Sequence, residues 1–366
     1  MFCVRIRGQK VYHEWRGSGR LCKALHKRGA GRHYGIIKIV PKQPDFQKWF
    51  DSVRGLPVPK FITGVRGTGK TSLLLSLRDR LLHEGLRPEA ALYIDTADPV
   101  LRRYATHERM VNYILGALPS TGHVAILIRE AAALPGPEVV IGTLAASGRR
   151  EVFATSSSRR LLDQGLAGYF STRLAHFEVL PEDGAEPYGA EAALARWNEI
   201  FLHDVLAPSR ILEVSLAGRI AGWLSDNLGD PISLRTVAAA ISPSRRILSP
   251  HTIEAYLASL EDAHLIEKVL RWDFAEEALQ KTGYRYFFTD PRLRFARFGP
   301  APTDEARRMA LNRAWLRLRR AMGRVYVVSG LPEADFATFA NGRPIYWRVN
   351  AMGMAERVHS NAQFWS

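Results

Sequence analysis

Cysteine is almost missing from this 366-residue sequence: Cys3 and Cys22 are the only two, both near the N-terminus. Two cysteines cannot build a disulfide framework, and neither has a partner pair at metal-ligand spacing. The eleven histidines are scattered and form no H-E-x-x-H or related pairing, so the sequence offers no zinc-hydrolase centre. It also lacks any apolar run long enough to cross a bilayer, and it has no charged–apolar–small order of a signal peptide. A soluble protein of a reduced, cytoplasmic compartment is therefore expected, with no membrane partner. There is no internal repeat and no long low-complexity segment.

Acidic residues are the other scarcity. Against 51 Lys and Arg stand 36 Asp and Glu, giving a net charge of +15 and a pI near 10.1. That balance favours an anionic partner, nucleic acid or an acidic surface, although arginine is spread along the whole chain. Locally the excess is largest from Met1 to Arg32, where nine Lys or Arg face the single acid Glu14. Residues 1–34 also carry Gly17, Gly19, Gly29 and Gly31, and they read as a basic, mostly disordered arm.

With 46% hydrophobic residues the rest of the chain can bury packed cores. A short helix is expected at 46–53, followed by the turn Gly55-Leu56-Pro57-Val58-Pro59. Short apolar runs at 60–63, 91–94, 124–128, 152–155 and 177–180 then alternate with helical stretches. This is the pattern of a parallel sheet covered on both faces, complete by about residue 181. Residues 182–230 read as a helical linker or lid. From Pro231, a short helix at 232–240, a turn, and a helix opening at Ser249-Pro250 lead to strands at 266–270 and 284–288. Helix, turn, helix and β-hairpin is the order of a winged helix over 231–290. Residues 291–366 mix a basic helix at 305–322 with strand-like runs at 325–328 and 344–349.

Between the first strand and its helix lies Gly64-Val65-Arg66-Gly67-Thr68-Gly69-Lys70-Thr71, which fits G-x-x-x-x-G-K-[ST] throughout. Glycines let the backbone curl so that its N–H groups point inward at phosphates, and the helix start adds unpaired N–H groups. Lys70 is placed to reach β- and γ-phosphates, Thr71 offers a hydroxyl to Mg²⁺, and Ser72 follows in the same turn. Catalysis needs more than a cradle. Glu130, just after the run 124–128, occupies the place of a water-activating glutamate, but Arg129 stands where an acidic metal partner belongs. Ser156, closing the run 152–155, and Arg173, before the last strand, are candidates for sensing the γ-phosphate. Arg173 would act toward a neighbouring subunit, which implies a homo-oligomer.

These residues resemble those of AAA+-type P-loop ATPases of bacteria and archaea that carry a winged helix and an uncharacterised, restriction-endonuclease-like C-terminal domain. The resemblance covers about residues 45–350. It is carried by residues 62–71, by Ala154-Thr155-Ser156-Ser157-Ser158, by the run 252–266, and by Tyr286-Phe287-Phe288-Thr289-Asp290. It implies an α/β P-loop NTPase (AAA+-like) parallel sheet with a helical linker, a winged-helix domain and a small α/β C-terminal domain. ATP and Mg²⁺ are the implied ligands, with Ser156 as the polar group facing the nucleotide. The chain departs from the family in three places. Arg129-Glu130 replaces Asp-Glu, the linker lacks a Gly-Gly-aromatic-Pro stretch, and the nuclease-like region keeps Asp335 but reads Trp347-Arg348-Val349-Asn350 at its second site. Without a second acid and a lysine there, 291–366 reads as a non-catalytic remnant.

In the winged-helix reading the second helix offers His251, Thr252, Glu254 and Ser259, with Arg245 and Arg246 just before it and Lys268 in the wing. The expectation is an ATP-binding protein with weak turnover that couples nucleotide state to a winged helix, with DNA as the candidate partner. The rival is a nucleotide-dependent switch or scaffold without hydrolysis, favoured by Arg129. A nuclease would rest on Asp335 alone.

Overall fold

The computed structural model describes residues 46–162, 174–181, 189–208, 213–242, 248–300 and 304–358, and the backbone of 2–6 and 9–13. In the basic arm, β1 (Phe2–Ile6) and β2 (Gln9–His13) pair antiparallel with Val4 opposite Val11. A short hairpin thus stands where an irregular arm was expected; the apolar alternation Phe2, Val4, Ile6 is the strand period hidden among the charges.

Helix α1 (Phe46–Val53) precedes a parallel sheet of five strands. They are β3 (Lys60–Thr63), β4 (Ala91–Asp95), β5 (Val124–Arg129), β6 (Arg150–Ser156) and β7 (Ala175–Glu178), in the order β4-β5-β6-β3-β7. Helices α2 (Lys70–His83), α3 (His107–Gly116) and α4 (Pro137–Ala145) cover the faces. Alternate residues of β5 feed two cores. Ile126 and Ile128 pack with Met110, Ile114 and Val140, while Ala125 and Leu127 pack with Trp49, Phe50 and Leu77. Both faces are covered, so the strand is apolar without a break. This is the α/β fold of a P-loop NTPase, as the pattern of runs implies.

Next come α5 (Ala190–Ile200), which runs on into a π-helical turn at Phe201–Leu206, and α6 (Val214–Asp226). Then α7 (Leu234–Ile241) and α8 (Pro250–Asp262) pack together. Ser249 caps α8 by accepting from the Thr252 N–H, with Pro250 at the first helical position, as its side-chain chemistry predicts. Strands β8 (Ile266–Asp273) and β9 (Ala278–Phe288) follow as an antiparallel hairpin. Beyond them lie α9 (Pro291–Phe298), α10 (Glu305–Met322), β10 (Val325–Ser329), β11 (Phe336–Ala340), β12 (Arg343–Val349) and β13 (Ala355–Arg357).

The hairpin does not stand alone. One six-stranded sheet runs β13-β12-β11-β10-β8-β9, with β10 parallel to β8. A boundary at 290 therefore cuts through a continuous hydrogen-bonded layer. Trp315 of α10 stacks on Phe287 of β9 at 5.4 Å, and both are fully buried in the core shared by the helices and this sheet.

A buried ion network joins the two sheets. Glu178, at the end of β7, accepts from Arg159 (3.0 Å) and Arg319 of α10, and both guanidiniums also reach Glu267 of β8. His264, 2% exposed, accepts from Arg159 Nε at 2.9 Å through its Nδ1. Burial, and then the Arg159 charge, lower its pKa to about 4, so it is neutral at physiological pH. Removing one partner of such a network leaves other charges buried. Glu178→Gln should cost about 3 kcal/mol, near the lower end for breaking a buried pair, read as a lower urea midpoint with an unchanged m-value. A loss under about 1 kcal/mol, the range of surface pairs, would mean the network is solvated.

Candidate functional site

The Gly-rich loop follows β3 directly. Gly64 and Gly67 hold φ of 143° and 88°, values that side chains rarely adopt, and each is also pressed from outside. A Cβ on Gly64 would sit 3.2 Å from the Val179 carbonyl carbon and closer still to its oxygen. One on Gly67 would fall 2.6 Å from Arg196 Cζ. Thr68 Oγ1 donates to the Val65 carbonyl at 2.9 Å, closing the loop on itself. Gly69 takes the N-cap position, and Lys70, Thr71 and Ser72 form the first turn of α2.

Lys70 is 4% exposed and donates to the Gly64 and Val65 carbonyls at 2.9 and 3.0 Å. Burial lowers its pKa to about 8, against the opposing pull of Glu130 and Asp204. Its ammonium lies 3.9 Å from Glu130 Oε1. Glu130 directly follows β5, with φ 52°, a sparsely populated conformation for a residue with a side chain. Its N–H donates to Thr155 Oγ1 at 2.9 Å. Its carboxylate accepts from the Ser157 N–H and the Ser157 hydroxyl, both at 2.9 Å. The structure thus brings the acid at 130 and the lysine at 70 to one point.

Other candidates land differently. Ser156 is fully buried, and its hydroxyl both donates to the Ser158 carbonyl and accepts from the Ser158 N–H, so it braces its own loop. The serine that reaches Glu130 is Ser157. Arg129 donates to Asp95 Oδ1 at 2.7 Å across the β4–β5 edge. The cation in place of the metal acid is thereby neutralised by a carboxylate on the next strand. Arg173 lies outside the described residues, as do Arg245 and Arg246. Among the described residues no group of three or more His, Cys, Asp or Glu is arranged to hold a metal ion.

The helical segment after β7 closes over the loop. Arg66 makes a two-point pair with Asp204, Nε to Oδ2 at 2.7 Å and Nη2 to Oδ1 at 2.6 Å, and this contact raises the pKa of the guanidinium. Asp204 sits in the π-helical turn, a feature often found at functional positions. Beside the loop opens a cavity of about 480 Å³. Its floor is Gly67-Thr68-Gly69 and Ser72, and its apolar wall includes Leu73, Leu293 and the edge-to-face pair of Phe46 and Phe177, 5.2 Å apart. A curled loop of backbone donors, a buried cation and an adjoining apolar cleft suit a ligand with a phosphate chain and a flat ring system.

The C-terminal region keeps no comparable site. Asp335 is bound by Arg307 at 2.5 Å and by the Val349 N–H at 2.7 Å, which leaves its carboxylate committed to structure. The arginines of α10 are similarly occupied: Arg308 pairs with Asp230, Arg317 donates to the Gly353 carbonyl, and Arg320 donates to the Pro181 carbonyl. On α8, Ser259 is buried against the Ala255 carbonyl, while the exposed face carries His251 and Glu254.

Comparison with known proteins agrees with this geometry. Residues 57–186 match the AAA domain family. That span runs from just before β3 to just after β7 and contains the loop, Glu130 and the serines, so this part of the chain is an AAA-type P-loop domain. An uncharacterised protein of Haemophilus influenzae is 24% identical over 286 residues, covering 68% of this chain and 72% of that protein. Among solved structures, the Walker-type ATPase of Pyrococcus abyssi aligns with a TM-score of 0.43 and 14% identity, over 68% of this chain and 93% of that one. The Aeropyrum pernix ORC1 protein, solved in complex with DNA, aligns with a TM-score of 0.26 and 11% identity, over 66% and 86%.

Proposed function

We propose that this protein binds ATP in the Gly64–Thr71 loop, turns it over slowly, and passes the nucleotide state to the helix–helix–hairpin unit at 231–290. The observation that supports this reading is the unbroken polar path out of the site. Glu130 is bound by Ser157, and the next residue, Ser158, donates to the Asp262 carboxylate at 3.0 Å. The Arg159 N–H then donates to the Asp262 carbonyl at 2.9 Å. Asp262 is the last residue of α8, so any shift of Glu130 strains the end of that helix through two serines.

In this reading the loop N–H groups and Lys70 hold the phosphate chain, and the Phe46–Phe177 wall takes the adenine ring. Mg²⁺ arriving with the nucleotide supplies charge neutralisation, and Thr71 is the ligand this chain offers it. Glu130 orients water for attack, held in place by Ser157. Slow turnover follows from Arg129, which offers no lone pair to the metal. The 231–290 unit is a winged helix whose partner is duplex DNA. Support comes from the net charge of +15 and from Lys268 and Lys281 on the hairpin, rather than from the Glu254-bearing face of α8.

A second reading, a nucleotide-dependent scaffold without hydrolysis, is favoured by the Arg129–Asp95 pair. The two separate in Arg129→Asp combined with Asp95→Asn, which restores an acid without setting two carboxylates together. A severalfold rise in turnover marks a damaged ATPase; no change marks a scaffold.

ATP binding and turnover should be measured together, with and without duplex DNA. Lys70→Ala should weaken binding about 10- to 100-fold, the loss of one charge-assisted contact. Glu130→Gln should keep binding and lower turnover at least about 100-fold. DNA should stimulate the wild type but not Asp262→Asn. Unaltered binding in Lys70→Ala would remove the nucleotide reading altogether.

The Lys70 pKa of about 8 has its own consequence. A bound polyphosphate favours the ammonium, so at pH 9 binding should take up about one proton, fading toward none by pH 7. Calorimetry in buffers of different ionisation enthalpy reads this directly, and pH-independent uptake would show that Lys70 stays charged in the free protein.

A further inference from the structure

Arg196 of α5 is not part of the loop, of β5 or of the serine run, yet it overlies the loop. A Cβ on Gly67 would fall inside its guanidinium, so the fourth residue of the loop must be glycine to admit this side chain as well as to hold its own φ. Arg196 lines the same cavity as Gly67, Thr68, Gly69 and Ser72. Its position is fixed from below: α5 continues into the turn that carries Asp204, and Asp204 grips Arg66, the residue before Gly67. The same segment therefore touches the loop at two consecutive residues. One touch is a closed ion pair. The other is a guanidinium that is one-third exposed, whose nearest acid, Glu199, stands 3.8 Å away on its own helix.

We propose that Arg196 is a phosphate-binding residue that grips the phosphate chain of the bound nucleotide from the side opposite the loop amides. This rests on the nucleotide reading above. The planar fork of arginine suits phosphate oxygens, and a cation held over a curl of N–H donors has no use for a neutral ligand. Arg66, which the sequence places nearer the phosphates, is already spent on Asp204. The chain thus binds phosphate with an arginine brought by the segment after β7, and nucleotide would tie that segment to the P-loop domain.

The test uses the full chain, a fluorescent ATP analogue, and displacement by ATP, ADP and inorganic pyrophosphate. Variants are Arg196→Gln, Arg196→Lys, Glu199→Gln and Lys70→Ala, each with its melting temperature without ligand. Arg196→Gln should weaken all three competitors about 10- to 100-fold, with an unchanged ligand-free melting temperature, and Arg196→Lys should recover part of the loss. Glu199→Gln should bind at least as well as wild type. If Arg196→Gln binds ATP, ADP and pyrophosphate as wild type does while Lys70→Ala does not, Arg196 serves only to pack the helix and the proposal is wrong. If Glu199→Gln reproduces the loss, the pair with Glu199 is what matters, which also overturns it. If wild type binds no nucleotide, or Lys70→Ala binds equally well, the nucleotide reading itself falls and takes this one with it.

Discussion

A carboxylate at the end of a fully covered strand constrains much of this architecture. Glu178 closes β7 with 8% of its surface exposed, where an unpaired charge would be prohibitive. It is met by Arg159, which follows the serine run, and by Arg319, brought from α10. Those two guanidiniums then require Glu267, and Arg159 requires a neutral His264. Two positive charges and two negative ones are assembled from four separate stretches of chain. Such a set is specific rather than strongly stabilising, because desolvation offsets most of its Coulomb energy. It fixes where the second sheet sits against the P-loop domain, and hence which groups can face the loop.

The parallel sheet was largely legible because its physics is local. Runs of Val, Ile, Leu and Ala at 124–128 and 152–155 have nowhere to go but the interior of a two-faced sheet. Where polar residues are buried, the reading slipped. The last strand was expected at 177–180 and lies at Ala175–Glu178, because His176 and Glu178 are inside. Apolarity along the chain cannot show a histidine satisfied by Thr63 or a glutamate satisfied by two distant arginines. Strands β11 and β13 were missed for related reasons: Phe336–Ala340 mixes small residues with aromatics, and Ala355–Arg357 is too short to carry a period.

The candidate site divides in the same way. Residues 64–72 and Glu130 were readable because their spacing is dictated by one turn of backbone and the end of one strand. Ser157 was passed over for its neighbour Ser156, since only the loop geometry decides which hydroxyl turns toward Glu130. Asp95, Asp204 and Arg196 leave no signal at all. Each matters through a partner 34, 138 or 129 residues away, and no local pattern reports such a pairing. The arginines of α10 are the opposite case. They read as a basic face, yet most of them are lashed to carboxylates and carbonyls of this chain.

The shared six-stranded sheet bears on how such a protein is inherited. A hairpin that ends its own fold can be lent to other proteins as a portable module. Here β8 hydrogen-bonds to β9 on one side and to β10 on the other, so it is an interior strand. Excision at 290 would bare its full length as a sticky edge, the kind that recruits foreign strands and aggregates. Recombination at that point would be selected against. The stretch from α7 to β13 must travel through evolution as one block, and its C-terminal strands are retained whether or not they ever cut anything.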